Sequence, residues 1–147
     1  MRLWHKGLIP VLPRKQLLGQ WRECCLIAKE LHDGKLNHLL VNKVKEYPED
    51  EFNTYAQAVY DEMTKRGYHA DSWSFFKWRN DINTILLSNV FRTWHNQKYL
   101  TQCFWNLMEK YDCGGMTNEE WDKICDEVSK HSMHYSDQQF QKLREEK

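Results

Sequence analysis

Residues 13–34, PRKQLLGQWRECCLIAKELHDG, decide the fold class. Leu17, Trp21, Cys24, Ala28 and Leu31 recur at helical spacing, which lines them along one face of an α-helix. Pro13 suits a first helical turn, where its missing N–H has no intrahelical partner to lose, and Gly34 offers the stop. Outward from this helix the pattern stays helical. Residues 36–45, with Leu39, Leu40 and Val44, predict a short helix ended by Tyr47-Pro48. Residues 51–66 place Tyr55, Val59 and Met63 on one face and are closed by Gly67. From a cap at Asp71-Ser72, the residues Phe75, Phe76, Ile82, Leu86 and Val90 predict one long helix or two broken ones.

The second half repeats the theme. Residues 96–111 direct Leu100, Cys103, Phe104, Leu107 and Met108 inward, and Gly114-Gly115 then turns the chain. Thr117 and Glu120 have capping-box spacing and open a helix carrying Trp121, Ile124, Cys125 and Val128, so the two segments form a helical hairpin. Ser136 with Gln139 repeats the box and predicts a last short helix through Phe140 and Leu143. No run of alternating β-branched residues suggests a sheet. The expected fold is all-α, a single compact helical domain over residues 1–147 with about five to seven helices.

Composition excludes several function classes. A hydrophobic fraction of 41% with seven tryptophans argues against disorder, and 29% charged residues without an 18-residue apolar run argue against a membrane span. Arg2, Lys6, Arg14 and Lys15, with two prolines between them, leave no apolar signal-peptide core in residues 1–16, so a cytoplasmic protein is expected. Five cysteines make an odd count, and reduced, mostly buried thiols are expected. Cys113, Cys125, His131 and His134 fit no common zinc-finger spacing; no metal and no cofactor are expected. The formal net charge is zero, but residues 1–45 hold nine Lys and Arg against three acids, and the remainder twelve against eighteen. This asymmetry points to an anionic ligand at the N-terminal third, or to a solvated basic face.

On the first helix Gln16, Gly19, Gln20 and Glu23 fall at i, i+3, i+4 and i+7, a polar face away from the Leu17-Trp21-Cys24 stripe. Gly19 costs about 1 kcal/mol relative to alanine inside a helix. It stands one turn before Glu23, so either a nucleotide sugar or a neighbouring helix needs the room.

The run Leu12-Pro13-Arg14-Lys15-Gln16-Leu17-Leu18-Gly19-Gln20-Trp21-Arg22-Glu23 resembles the first helix of phage-type endonuclease V, a family of pyrimidine-dimer DNA glycosylases with lyase activity. The resemblance resumes at Asp61-Glu62-Met63-Thr64-Lys65-Arg66-Gly67-Tyr68, and Met1-Arg2-Leu3-Trp4-His5 with Arg22-Glu23-Cys24-Cys25 is more similar to the family's cellular branch. It implies that an N-terminal α-amine attacks the sugar carbon bearing the damaged base, forms an imine, and permits strand cleavage at the abasic site, with Glu23 as the catalytic acid. The chemistry is consistent with this. Polypeptide α-amines titrate at about 7.7–8 and lysines at about 10.4, so the former supply far more neutral nucleophile near pH 7.

Relatives expose a small second residue after methionine removal. Here Arg2 is bulky, so Met1 is expected to be retained and to supply the amine. Arg2 and Arg22 match the family's phosphate-engaging basic residues. His5, Gln16, Gln20, Arg14 and Lys15 are further candidates for DNA contact. The family's next arginine falls on Leu26, and its aromatic, basic tail has no counterpart in residues 136–147. Trp4, Trp73, Trp78 and Trp94 are candidate wedges or stacking platforms for a displaced base. The expected partner is damaged double-stranded DNA, met by a monomer associated with the nucleoid and not with a membrane. Two other classes stay open: a non-catalytic DNA-binding module on the same scaffold, and a helical protein-interaction domain.

Overall fold

The computed structural model describes residues 1–80 and 83–131. Among them lie helices α1 (Arg14–His32), α2 (Glu49–Lys65), the single turn α3 (Trp73–Phe76), α4 (Gln97–Asp112) and α5 (Asn118–His131). Short 3-10 turns occupy Lys6–Val11, Asn42–Glu46 and Leu87–Asn89, and no described residue is in a strand. The fold is all-α, as the periodicity predicts. No helix among the described residues is long and apolar enough to cross a membrane.

Helix α1 begins where Pro13 allows it, with Leu17 N–H donating to the Pro13 carbonyl at 2.9 Å. It buries Leu17, Trp21, Cys24, Ile27 and Ala28, and packs on α2 and α3. Gly34 and Gly67 end α1 and α2 in the left-handed region, at φ +68° and +83°, where a side chain would be strained. The next amides fold back over each helix end, Lys35 N–H to the Glu30 carbonyl at 2.8 Å and Tyr68 N–H to that of Met63 at 2.9 Å. Three acids, Glu49, Asp50 and Glu51, occupy the first turn of α2, where the exposed amides favour negative charge.

Helices α4 and α5 form the expected hairpin. Trp121 lies between the rings of Phe104 and Tyr111, each stacked at a centroid distance of 5.2 Å. The Thr117–Glu120 box is made in both directions: Glu120 N–H donates to Thr117 Oγ1 at 3.1 Å, and Thr117 N–H to Glu120 Oε1 at 3.0 Å. The second Glu120 oxygen accepts Arg14 N–H at 2.9 Å, tying the start of α5 to the start of α1.

Two segments differ from expectation. Residues 36–45 yield only the 3-10 turn at Asn42–Glu46; Leu36, Val41 and Val44 are buried, whereas Leu39 is 87% exposed. The described residues of 71–90 form only the single turn α3 and the 3-10 turn Leu87–Asn89, not one long helix or two. Phe75 is anchored against Phe52 and Trp21, Val90 and Phe91 reach the core from an irregular chain, and Ile85 and Leu86 are exposed. Aromatic anchoring of single residues therefore replaces a continuous helical face. Ile82 and the helix expected at residues 136–143 lie outside the described residues.

The opening segment, residues 1–5, belongs to no helix, yet Leu3 and Trp4 are buried in the same core as α1, α2 and α4. The 3-10 turn after it packs on α2 and α5.

Thr117→Ala removes one half of the box and should lower the unfolding free energy by about 1 kcal/mol. Glu120→Ala, which also releases Arg14, should cost more. Urea denaturation checks this, and equal stability of both variants with the parent would refute the capping role.

Candidate active site

The buried opening segment brings the chain's first residues to Glu23. Arg2 N–H donates to Glu23 Oε2 at 3.4 Å. The Met1 nitrogen is three covalent bonds from that amide, under about 4 Å even at full extension. The proposed nucleophile and acid are thus neighbours in the fold, although twenty-two residues separate them in sequence.

Gln20 makes this arrangement. Its Nε2 donates to the Arg2 carbonyl at 2.9 Å and to Glu23 Oε2 at 3.2 Å, and its Oε1 accepts Trp4 N–H at 2.8 Å and the Tyr55 hydroxyl at 3.0 Å. One side-chain amide thereby grips residues 2 and 4 as a peptide unit of a neighbouring strand would. The Tyr55 hydroxyl also donates to the Trp4 carbonyl at 2.5 Å, and Tyr99 donates to that of Leu3 at 2.6 Å. Gln20, expected on an outward polar face as a DNA contact, is 1% exposed. The opening segment lies over that face of α1 and covers it.

Both ring nitrogens of His5 are engaged within the fold. Its Nδ1 accepts Gly7 N–H at 3.0 Å, so Nε2 carries the proton and donates to the His95 carbonyl at 2.9 Å. Neither nitrogen is left for a phosphate. His95 stacks on His5 at 5.2 Å, and its Nδ1 accepts Lys6 N–H at 2.9 Å. Burial pushes the His5 imidazole down to about 4, and burial with the neighbouring His5 and Lys6 holds His95 well below the usual histidine range.

The remaining candidates fall into two groups. Arg2 is half-buried with its guanidinium 5.6 Å from the Trp4 ring centroid and 6.0 Å from that of Tyr99, while its backbone N–H meets Glu23. Arg22 is exposed on α1 next to Glu23 and near Gly19: a Cβ added there would meet only Arg22 Nη2, at 3.9 Å. Among the described residues no other helix comes within 4 Å of that added Cβ. Gln16, half-buried with its Oε1 unpartnered, is two turns before Glu23 on nearly the same face. Lys15 is exposed at the start of α1. Arg14, nine residues before Glu23 and hence half a revolution round the helix, is turned away. It sits 5.5 Å from the Tyr68 ring centroid, in a groove shared with Arg66, Glu120 and Lys123.

Trp4 and Trp94 fill the core, and Trp78 is half-buried. Trp73 is 65% exposed at the start of α3, next to a cavity of about 430 Å³ between α1 and residues 69–74 whose lining includes Arg22 and Cys25. Burial raises the Cys25 thiol to about 11 and holds the Cys24 thiol well above the usual thiol range, which keeps both protonated and unreactive near neutral pH. Among the described residues no group of His, Cys, Asp and Glu has the arrangement of a metal site; His134 lies outside them.

Tyr55, Tyr99 and His95 were not among the expected site residues. Tyr55 and Tyr99 sit on apolar helix faces, and a buried phenol needs an acceptor; that is the signal the sequence held, without saying which acceptor.

Protonating either histidine would set a donor against an amide donor. The unfolded chain takes up protons near pH 6.5 that folded His5 refuses until about 4, so this stability is present above pH 6.5 and lost as pH falls towards 4. The expected loss from His5 is on the order of 3 kcal/mol. Urea denaturation at pH 7 and pH 4.5 should show a smaller pH-dependence in His5→Asn; equal slopes in the two proteins would contradict it.

Comparison with curated proteins and with solved structures gave no match. The sequence model of one family, pyrimidine dimer DNA glycosylase, matches residues 1–74, half of the chain, including the opening segment, α1 and α2. On that match the chain belongs to the pyrimidine dimer DNA glycosylase family.

Proposed function

We propose that this chain excises damaged pyrimidines from duplex DNA and then cleaves the strand at the resulting abasic site, with the Met1 amine as nucleophile and Glu23 as proton donor and acceptor. The observation that carries the reading is the opening segment folded onto α1, so that its backbone touches Glu23. Met1 attacks C1′ of the lesion nucleotide, and the C1′–N bond breaks with its electrons leaving on the base. Glu23 takes the first amine proton and passes it to the ring oxygen as the sugar opens, and the second amine proton goes to the departing base, which leaves an imine. The carboxylate then takes a proton from C2′, expelling the 3′ phosphate, and water releases the enzyme. No metal or cofactor is required by any of these steps.

Arg2 and Arg22 flank the acid and are suited to hold the phosphates beside the lesion, with Lys15 and Gln16 further along α1. Of Trp4, Trp73, Trp78 and Trp94, Trp73 is the exposed one and is able to stack on a displaced base. The reading includes action as a monomer inside the cell, on nucleoid DNA.

Borohydride treatment of the protein with ultraviolet-damaged or abasic duplex should trap a covalent adduct. A few extra residues ahead of Met1 should abolish it, because only a free amine near Glu23 reacts. Glu23→Gln should slow strand cleavage by ~100-fold or more while DNA affinity stays within about threefold. Full activity of either variant would refute the assignment. Salt-dependent DNA binding without any adduct would select the non-catalytic module, and no such binding the protein-interaction domain.

Gly19→Ala separates the two demands on that position. With nothing packed there, alanine should stabilise the free protein by up to about 1 kcal/mol. If the bound strand approaches α1 beside Glu23, the same methyl should weaken DNA binding or cleavage several-fold. Unchanged binding and cleavage would place the strand elsewhere.

A further inference from the structure

We infer that Gln20 is a positioning residue for the reaction, and that Tyr55 sets Gln20. This rests on the proposed use of the terminal amine and Glu23, and adds the device that holds them at a fixed separation. The geometry is specific. The Gln20 amide bonds at once to the Arg2 carbonyl, the Trp4 amide and the Glu23 carboxylate, at 2.9, 2.8 and 3.2 Å. Its bonds reach both the nucleophile's segment and the acid.

Its orientation is forced. Trp4 N–H needs an acceptor and the Arg2 carbonyl a donor, so only one rotation of the amide serves both. The Tyr55 hydroxyl shares its one proton between the Trp4 carbonyl at 2.5 Å and Oε1 at 3.0 Å, a three-centre bond that reinforces that rotation. Nε2 is then left facing Glu23 Oε2. The carboxylate is held by two donors, Arg2 N–H and Gln20 Nε2, both on the same oxygen. Glu23 Oε1 is therefore the oxygen left to face the sugar. Gln20 itself is buried and touches no substrate.

Substitution should therefore change chemistry at saturating DNA more than binding. Gln20→Glu keeps an acceptor for Trp4 and Tyr55 but loses the donor to Arg2 and Glu23. Tyr55→Phe keeps the amide and loses its brace. The measurement is single-turnover borohydride trapping on a duplex with one abasic site, with enzyme titrated to separate the maximal rate from the apparent Kd. Expected are a fall of ten- to a hundredfold in the maximal rate for Gln20→Glu and of three- to tenfold for Tyr55→Phe, with Kd within threefold of the parent.

Thermal melting identifies any variant that has merely unfolded; if Gln20→Glu has, Tyr55→Phe decides. A folded variant trapping at the parental rate overturns the inference, as does a loss confined to Kd. If the parent protein gives no adduct, the terminal-amine reading fails instead.

Discussion

Leu3 and Trp4 are buried without a sheet or helix to pair their backbone, and this constraint orders the rest of the molecule. A buried amide or carbonyl left alone costs on the order of 1–3 kcal/mol, so each must find a partner. Here the partners are side chains from three helices: Gln20 of α1, Tyr55 of α2 and Tyr99 of α4. That requirement brings polar groups into faces that are otherwise apolar. It also fixes α1, α2 and α4 relative to one another, because each must present its donor or acceptor to the same short stretch of chain.

The contacts that hold the opening segment also serve the site. Glu23 accepts Arg2 N–H, and Gln20 braces both. Beyond Trp4 the pairing passes to the His5–His95 stack, whose rings accept amides on one nitrogen each and whose low proton affinity keeps them in that role. Stability of the N-terminal segment and placement of its amine are consequently one property. A change that loosens the segment moves the amine even when no residue of the site is altered.

The parts that could be read in the sequence are those governed by local rules. Helical periodicity found α1, α2, α4 and α5, and the glycine stops and the Thr117–Glu120 box marked their ends, because each depends on residues within one or two turns. Glu23 could be singled out for the same reason. Residues 71–90 could not be read in this way: Phe75, Val90 and Phe91 are held by distant aromatic neighbours and not by a shared face. The burial of Gln20 was not legible because amphipathic spacing reports what one helix presents, and is silent about a non-helical segment that covers it. The Tyr55 and Tyr99 hydroxyls reach carbonyls fifty-one and ninety-six residues away, distances at which spacing carries no information.

The separation between the amine and the acid follows from what each must reach. An amide nitrogen is no nucleophile, since its lone pair is delocalised into the carbonyl. The Arg2 N–H beside Glu23 can therefore hold the carboxylate but cannot attack. With Met1 in place, the free amine stands one residue beyond this contact. In the proposed reaction Glu23 protonates the ring oxygen of the sugar, not the amine, so nucleophile and acid must flank the same carbon with the sugar between them. An amine bonded directly to the carboxylate would occupy the space the sugar needs. In that reaction the Arg2 amide would act as a spacer, and Gln20, bonded to the Arg2 carbonyl and to Glu23, would hold the two at a fixed separation.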